Sequence, residues 1–75
     1  MTKLMTVGQL AKRTGLRPSA LRFYEEQALL PPTAYSEGGY RLYDAAAEET
    51  LHFLLRAQRL GFSLADIRGL LAARQ

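Results

Sequence analysis

Seventy-five residues make one small domain, because a chain this short buries only roughly 60% of the surface its unfolded form exposes and has no room for a two-lobed enzyme cleft. Apolar residues at 48%, charged at 23% and aromatic at 9% are the composition of a folded chain, and no cysteine beside a single histidine, His52, excludes disulfide staples, zinc clusters and thiol chemistry. The net charge of +3 is unevenly spread: Lys3, Lys12, Arg13, Arg17 and Arg22 precede the first acid, Glu25, and the remainder sets five arginines against seven acids. A basic N-terminal third suits a polyanion such as nucleic acid better than an anionic membrane surface, although scattered cations can also merely solvate a small domain. No apolar run approaches the roughly 20 residues that span a bilayer, and Met1 is followed by no signal-type apolar core, so a cytosolic protein without membrane attachment is expected.

Thr6 offers a hydroxyl to an orphan backbone N–H, and Gln9 stands three residues on to complete a capping box, which predicts a helix over about Val7 to Arg13. Val7, Leu10, Ala11 and Thr14 form its apolar face, and Gly15 stands where a left-handed residue would end it. Pro18 suits the first position of a second helix reaching about Gln27, because its φ is already helical and its missing N–H would have no partner there. Ala20, Leu21, Tyr24 and Ala28 cluster on one side of that helix, and Ser19, Arg22 and Glu26 share the other, with Phe23 at the border. Core packing explains the first cluster and gives no reason for Arg22 beside an outward-leaning Phe23.

Pro31 and Pro32 cannot continue a helix and favour extended backbone. Thr33 to Tyr35 and Tyr40 to Tyr43 flank Ser36-Glu37-Gly38-Gly39, whose glycines permit a hairpin turn, so a two-stranded hairpin is expected. A lone hairpin is marginal in water, and at least one of its aromatics must pack on the helices. Asp44 then caps a third helix to about Leu60, ended by Gly61, with Leu51, Leu54, Leu55 and Ala57 in its buried stripe and Phe53 and Leu60 on a neighbouring line. Ser63 and Asp66 repeat the cap-and-acid signature for a fourth helix carrying Leu64, Ile67, Leu70 and Leu71, which still reads as helical at Gln75. Gly69 weakens that helix by about 1 kcal/mol relative to alanine.

Two short helices joined across Thr14-Gly15-Leu16, the second with a basic outer face, fit the physical description of a helix-turn-helix. Three further blocks in order, RFYEEQALLPP at Arg22 to Pro32, GGYRLY at Gly38 to Tyr43 and LGFSLADIRGLL at Leu60 to Leu71, make the chain resemble the N-terminal DNA-binding domain of the MerR family of bacterial transcription regulators, from about Met5 to Leu71. The resemblance implies a mainly α, winged helix-turn-helix of about four helices with a two-stranded β-hairpin wing. In residue terms it implies a helix-turn-helix over about 6–27, a wing over about 32–43 and packing helices over about 44–61 and 63–74. The family's dimerisation helix and effector domain are not expected within these 75 residues.

By that resemblance the second helix enters a major groove and the wing grips the flanking backbone. Arg22 would contact phosphate, with Phe23 and Tyr24 buttressing or touching the backbone, and Tyr40 and Arg41 would be the wing contacts. Tyr24 lies on the buried side of the helix, so its ring should pack and at most its hydroxyl should reach DNA. Ser19 and Arg17, at the start of the helix, are placed to read base edges, because recognition helices present their N-terminal residues to the groove; Arg17 could equally hold a phosphate. Residue chemistry alone leaves second roles open: solvated charge for Arg22 and Arg41, a structural wing residue for Tyr40, core packing for Phe23.

Three departures from the family pattern bear on wing affinity and on packing of the third helix. Arg17 replaces the usual serine or threonine cap, Thr33-Ala34-Tyr35 lacks the basic residue often found before the wing turn, and Glu48 occupies a usually aliphatic slot. The implied partners are double-stranded promoter DNA, RNA polymerase indirectly, and a second copy of the full-length protein, in a nucleoid-associated cytoplasmic setting with no cofactor or metal. The implied action is distortion of a promoter with an overlong spacer. An excisionase-like architectural factor without an effector, and a helical protein-interaction module without a DNA role, are the competing readings. Catalysis is not expected: Glu25/Glu26 and Glu48/Glu49 are adjacent pairs pointing in different directions on helices, and His52 has no second ligand and reads as an exposed helix residue.

Overall fold

A computed structural model describes residues 3–73. Thr6 and Gln9 form the reciprocal capping box: the Gln9 N–H donates to Thr6 Oγ1 at 3.2 Å and the Thr6 N–H to Gln9 Oε1 at 2.8 Å. Helix α1 follows over Val7–Thr14. Gly15, left-handed at φ 75°, closes it by donating its N–H to the Ala11 carbonyl at 2.9 Å. After a two-residue link, Pro18 opens α2 over Pro18–Glu26.

The exit from α2 differs from the expected pattern. Ala28 is exposed and lies beyond the helix with φ 60°, rather than extending the buried face beside Leu21. Its N–H donates to the Glu25 carbonyl at 3.0 Å and that of Leu29 to the Tyr24 carbonyl at 2.9 Å, the paired bonds of a Schellman motif. The left-handed turn sends Leu29 and Leu30 into the core, where each is at most 1% exposed.

The wing carries strands β2, Ala34–Tyr35, and β3, Arg41–Tyr43. Its turn is closed by Ser36 N–H to Tyr40 C=O at 2.8 Å and Gly39 N–H to Ser36 C=O at 2.9 Å, with Gly39 at φ 83° supplying the left-handed residue. The expected two-stranded hairpin is in fact part of a three-stranded antiparallel sheet. Met5–Thr6 forms β1, pairs Met5 with Tyr43 and Thr6 with Leu42, and leaves β3 central in the order β1-β3-β2. A hairpin is marginal alone, and this third strand ties it to the start of α1.

Asp44 caps α3, Ala45–Arg59, its Oδ1 accepting the Ala47 N–H at 2.9 Å. Ser63 and Asp66 form a second reciprocal box, at 3.1 and 3.2 Å, at the start of α4, Leu64–Ala73. The expectation of helix at Gln75 lies outside the described residues.

Two apolar clusters hold these elements. One gathers Met5, Leu10, Ala11, Leu21, Leu30, Tyr43, Ala47 and Leu51 around the helix-turn-helix and sheet. The other joins Leu29, Leu54, Ala57 and Ile67 between α3 and α4, and Tyr24 and Leu55 pack against both. Tyr43, fully buried, is the wing aromatic that anchors the hairpin. Leu60, at 79% exposure, and Leu70, at 41%, stand outside both clusters. Glu48, 15% exposed at its side chain, takes a bond from Arg13 Nε at 2.9 Å and lies 3.5 Å from His52 Nε2.

Candidate nucleic-acid interface

Helix α2 fixes the first half of the interface. Ser19, Arg22 and Glu26 are exposed and lie on one side, Ser19 and Arg22 being one turn apart. Arg17 sits exposed at the N-cap with extended backbone and makes no side-chain cap bond, and the first turn of α2 bears no acid. Phe23 is 45% exposed and meets the Tyr24 ring edge-on, centroids 5.7 Å apart at 61°. The Tyr24 ring packs inward, and its hydroxyl donates to Gln58 Oε1 at 2.9 Å, which commits that proton to α3.

The wing supplies the second half. Tyr40 projects from the turn at 74% exposure, and Arg41 begins β3 with its side chain 47% exposed. Arg22, Tyr40 and Arg41 line one cleft of about 290 Å³ between α2 and the wing, together with Val7, Glu25, Gly39 and Tyr43. The two arginines therefore border one cleft, within reach of a single ligand lying in it. Arg17 and Ser19 lie further along α2 and outside that cleft.

Glu25 and Tyr43 are the two members with titratable side chains that the sequence does not assign to the interface. Arg41 Nε donates to the Glu25 carboxylate, whose side chain is only 14% exposed. That hydrogen bond, and then the charge of Glu25, raises the Arg41 pKa above its ordinary value. Burial, and then the charge of Glu25, raises that of the Tyr43 hydroxyl, which finds no hydrogen-bond partner among the described residues. The sequence carried one signal for Glu25: it stands three residues after Arg22 and so shares that flank of the helix. A second cleft, of about 380 Å³, is lined by Lys3, Lys12 and Arg13 together with Met5, Gln9, Ala45 and Glu48.

Among the described residues no three His, Cys, Asp or Glu side chains are grouped to hold a metal ion, and no helix is long and apolar enough to cross a membrane. His52 is exposed and its ring neighbour is Glu48.

Four helices and a sheet-anchored hairpin, with two arginines and a tyrosine on the cleft between the second helix and the turn, define a winged helix-turn-helix domain. Residues 5–74 match the family model for MerR HTH family regulatory proteins, and the chain belongs to that family. It is 44% identical over 68 residues to the HTH-type transcriptional regulator CueR of Yersinia pestis, covering 91% of this chain and 49% of that protein. It is 41% identical over 68 residues to the HTH-type transcriptional regulator ZntR of Escherichia coli K12, covering 91% and 48%. The chain thus spans about half the length of these relatives, which are named as transcriptional regulators.

Solved structures agree in fold. A MerR family transcriptional regulator from Bacillus cereus superposes with a TM-score of 0.89 at 32% identity, over 97% of this chain and 55% of that one. HiNmlR, a MerR family regulator lacking the sensor domain and solved bound to promoter DNA, superposes at 0.81 with 31% identity, over 93% and 54%.

Proposed function

We propose that this chain binds double-stranded promoter DNA sequence-specifically as the DNA-reading part of a transcription regulator. The observation that carries the reading is the shared cleft: Arg22 from α2 and Tyr40 and Arg41 from the wing line it together, which would let one DNA backbone meet all three. The promoter-bound relative HiNmlR supports the same use of this fold. Arg22 and Arg41 contact phosphates, with Tyr40 beside them and Phe23 buttressing the backbone approach. Arg17 and Ser19 enter the major groove at the start of α2 and read base edges. Tyr24 acts from behind, holding α2 against α3.

One module of this size buries only about 600 to 1,000 Å² on DNA, so stable binding calls for two copies. In the whole protein a dimerisation helix and an effector domain outside residues 1–75 would supply the pairing and the signal. The homodimer bends and untwists its promoter and so reaches RNA polymerase through the DNA. The test is fluorescence anisotropy of a labelled mixed-sequence duplex titrated with the chain across a salt series. Binding at low salt that weakens with a log–log slope of about 0.9 per phosphate neutralised supports the reading. No binding at low salt would contradict it and favour a protein-interaction module.

A further inference from the structure

We propose that Glu25 is a positioning residue for the interface: it grips the inner edge of the Arg41 guanidinium so that the outer edge is held ready for a DNA phosphate. The inference rests on the function proposed above and deepens it.

A carboxylate inside a phosphate-binding cleft is at first sight a defect, because it repels the ligand and competes for the cation. The geometry points the other way. Arg41 presents five N–H donors in a rigid planar fork, and among the described residues it bonds Glu25 through Nε alone. The terminal Nη edge stays open. The two side chains are also layered: Glu25 is 14% exposed and Arg41 47%, so the acid lies behind and the base in front. An arriving phosphate meets the guanidinium first and can bond it without displacing Glu25.

The pair also joins two otherwise separate elements. Glu25 stands in the last turns of α2 and Arg41 at the start of β3, and both line the cleft that holds Arg22. A free arginine loses rotamer freedom when it grips a phosphate; one already fixed loses less. Glu25 therefore registers the wing cation against the helix cation before DNA arrives.

The sign of one substitution separates this role from simple electrostatics. Removing a negative charge beside DNA should tighten binding, and Glu26→Ala, at the exposed neighbouring acid, is expected to do so. Glu25→Ala is expected instead to weaken binding of the labelled mixed-sequence duplex by about 2- to 10-fold, the penalty for leaving one rotamer-rich side chain unfixed. Glu25→Gln keeps an acceptor for Nε and should fall between Glu25→Ala and the parent chain. In an Arg41→Ala background Glu25→Ala should tighten binding, since only its charge is left. Circular dichroism checks folding of each variant.

A second measurement needs no substitution. The Arg41 Nε–H should give a discrete, slowly exchanging NMR signal that persists on addition of duplex. Tighter binding by Glu25→Ala or Glu25→Gln while Arg41→Ala weakens it, or loss of the Nε–H signal on DNA addition, would overturn the inference and leave the proposed function standing. If Arg22→Ala and Arg41→Ala both bind as the parent does, it is the proposed interface that fails.

Discussion

The Tyr24 hydroxyl donates to Gln58 Oε1 at 2.9 Å and so fastens the C-terminal half of α2 to the C-terminal half of α3 across 34 residues of sequence. The ring above that bond touches both apolar clusters, which makes Tyr24 the joint between the helix-turn-helix and the α3–α4 pair. Tyr24→Phe keeps the ring and deletes the bond. It should lower stability by about 0.5 to 1.5 kcal/mol, read as a lower melting temperature, while the salt slope of DNA binding stays as it was. A reduced slope with unchanged stability would mean that the hydroxyl meets phosphate instead.

Two backbone positions carry the residue suited to the other. Ala28 takes a left-handed conformation at φ 60°, and Gly69 lies within α4, where an added Cβ would meet nothing within 4 Å. Left-handed backbone costs a residue with a Cβ roughly 1 to 2 kcal/mol, partly offset for glycine by its freer unfolded chain. Glycine inside a helix costs about 0.5 to 1 kcal/mol relative to alanine. Ala28→Gly and Gly69→Ala should each raise stability in urea melts, by about 0.5 to 1 kcal/mol. They lie in different elements and should add. A destabilised Ala28→Gly would show that the left-handed turn does not limit stability.

Acid should loosen the contact between α1 and α3. The Glu48 carboxyl is held below the ordinary glutamate range, first by the hydrogen bond from Arg13 and less by His52, against an opposing effect of burial. A carboxyl with a lowered folded-state pKa adds stability that is complete above the unfolded value, near pH 4.3, and is lost as pH falls through the folded value. The Arg13 side chain is 61% exposed, so water screens the pair and the effect is small. Urea melts from pH 3 to 7 should show a shallower acid loss for Glu48→Gln than for the parent. Parallel curves would remove Glu48 from the account.

What the sequence made legible was local. Thr6 with Gln9, Ser63 with Asp66, Asp44, Gly15 and Pro18 each act within four residues of themselves, and each is found in the role its chemistry suggested. Strand β1 was not legible. Two residues at a helix cap have no period to read, and their partners Leu42 and Tyr43 lie more than thirty residues away. The same distance hid the ion pair of Arg13 with Glu48 and the bond of Tyr24 to Gln58, while Glu25 with Arg41 needed the wing folded back onto α2 before it existed. Ala28 misled because alanine suits a helix face, whereas the cap geometry at that point required a left-handed residue. Arg22, Tyr40 and Arg41 were nameable from motif blocks; that they line one cleft is a fact of packing.

The most direct test is the salt dependence of duplex binding by the parent chain beside Arg22→Ala and Arg41→Ala. Each arginine, if it neutralises one phosphate, should take about 1 from the magnitude of the log–log slope and weaken binding across unrelated sequences alike. Two variants with the parent's slope and affinity would contradict the interface, however well the fold matches its relatives.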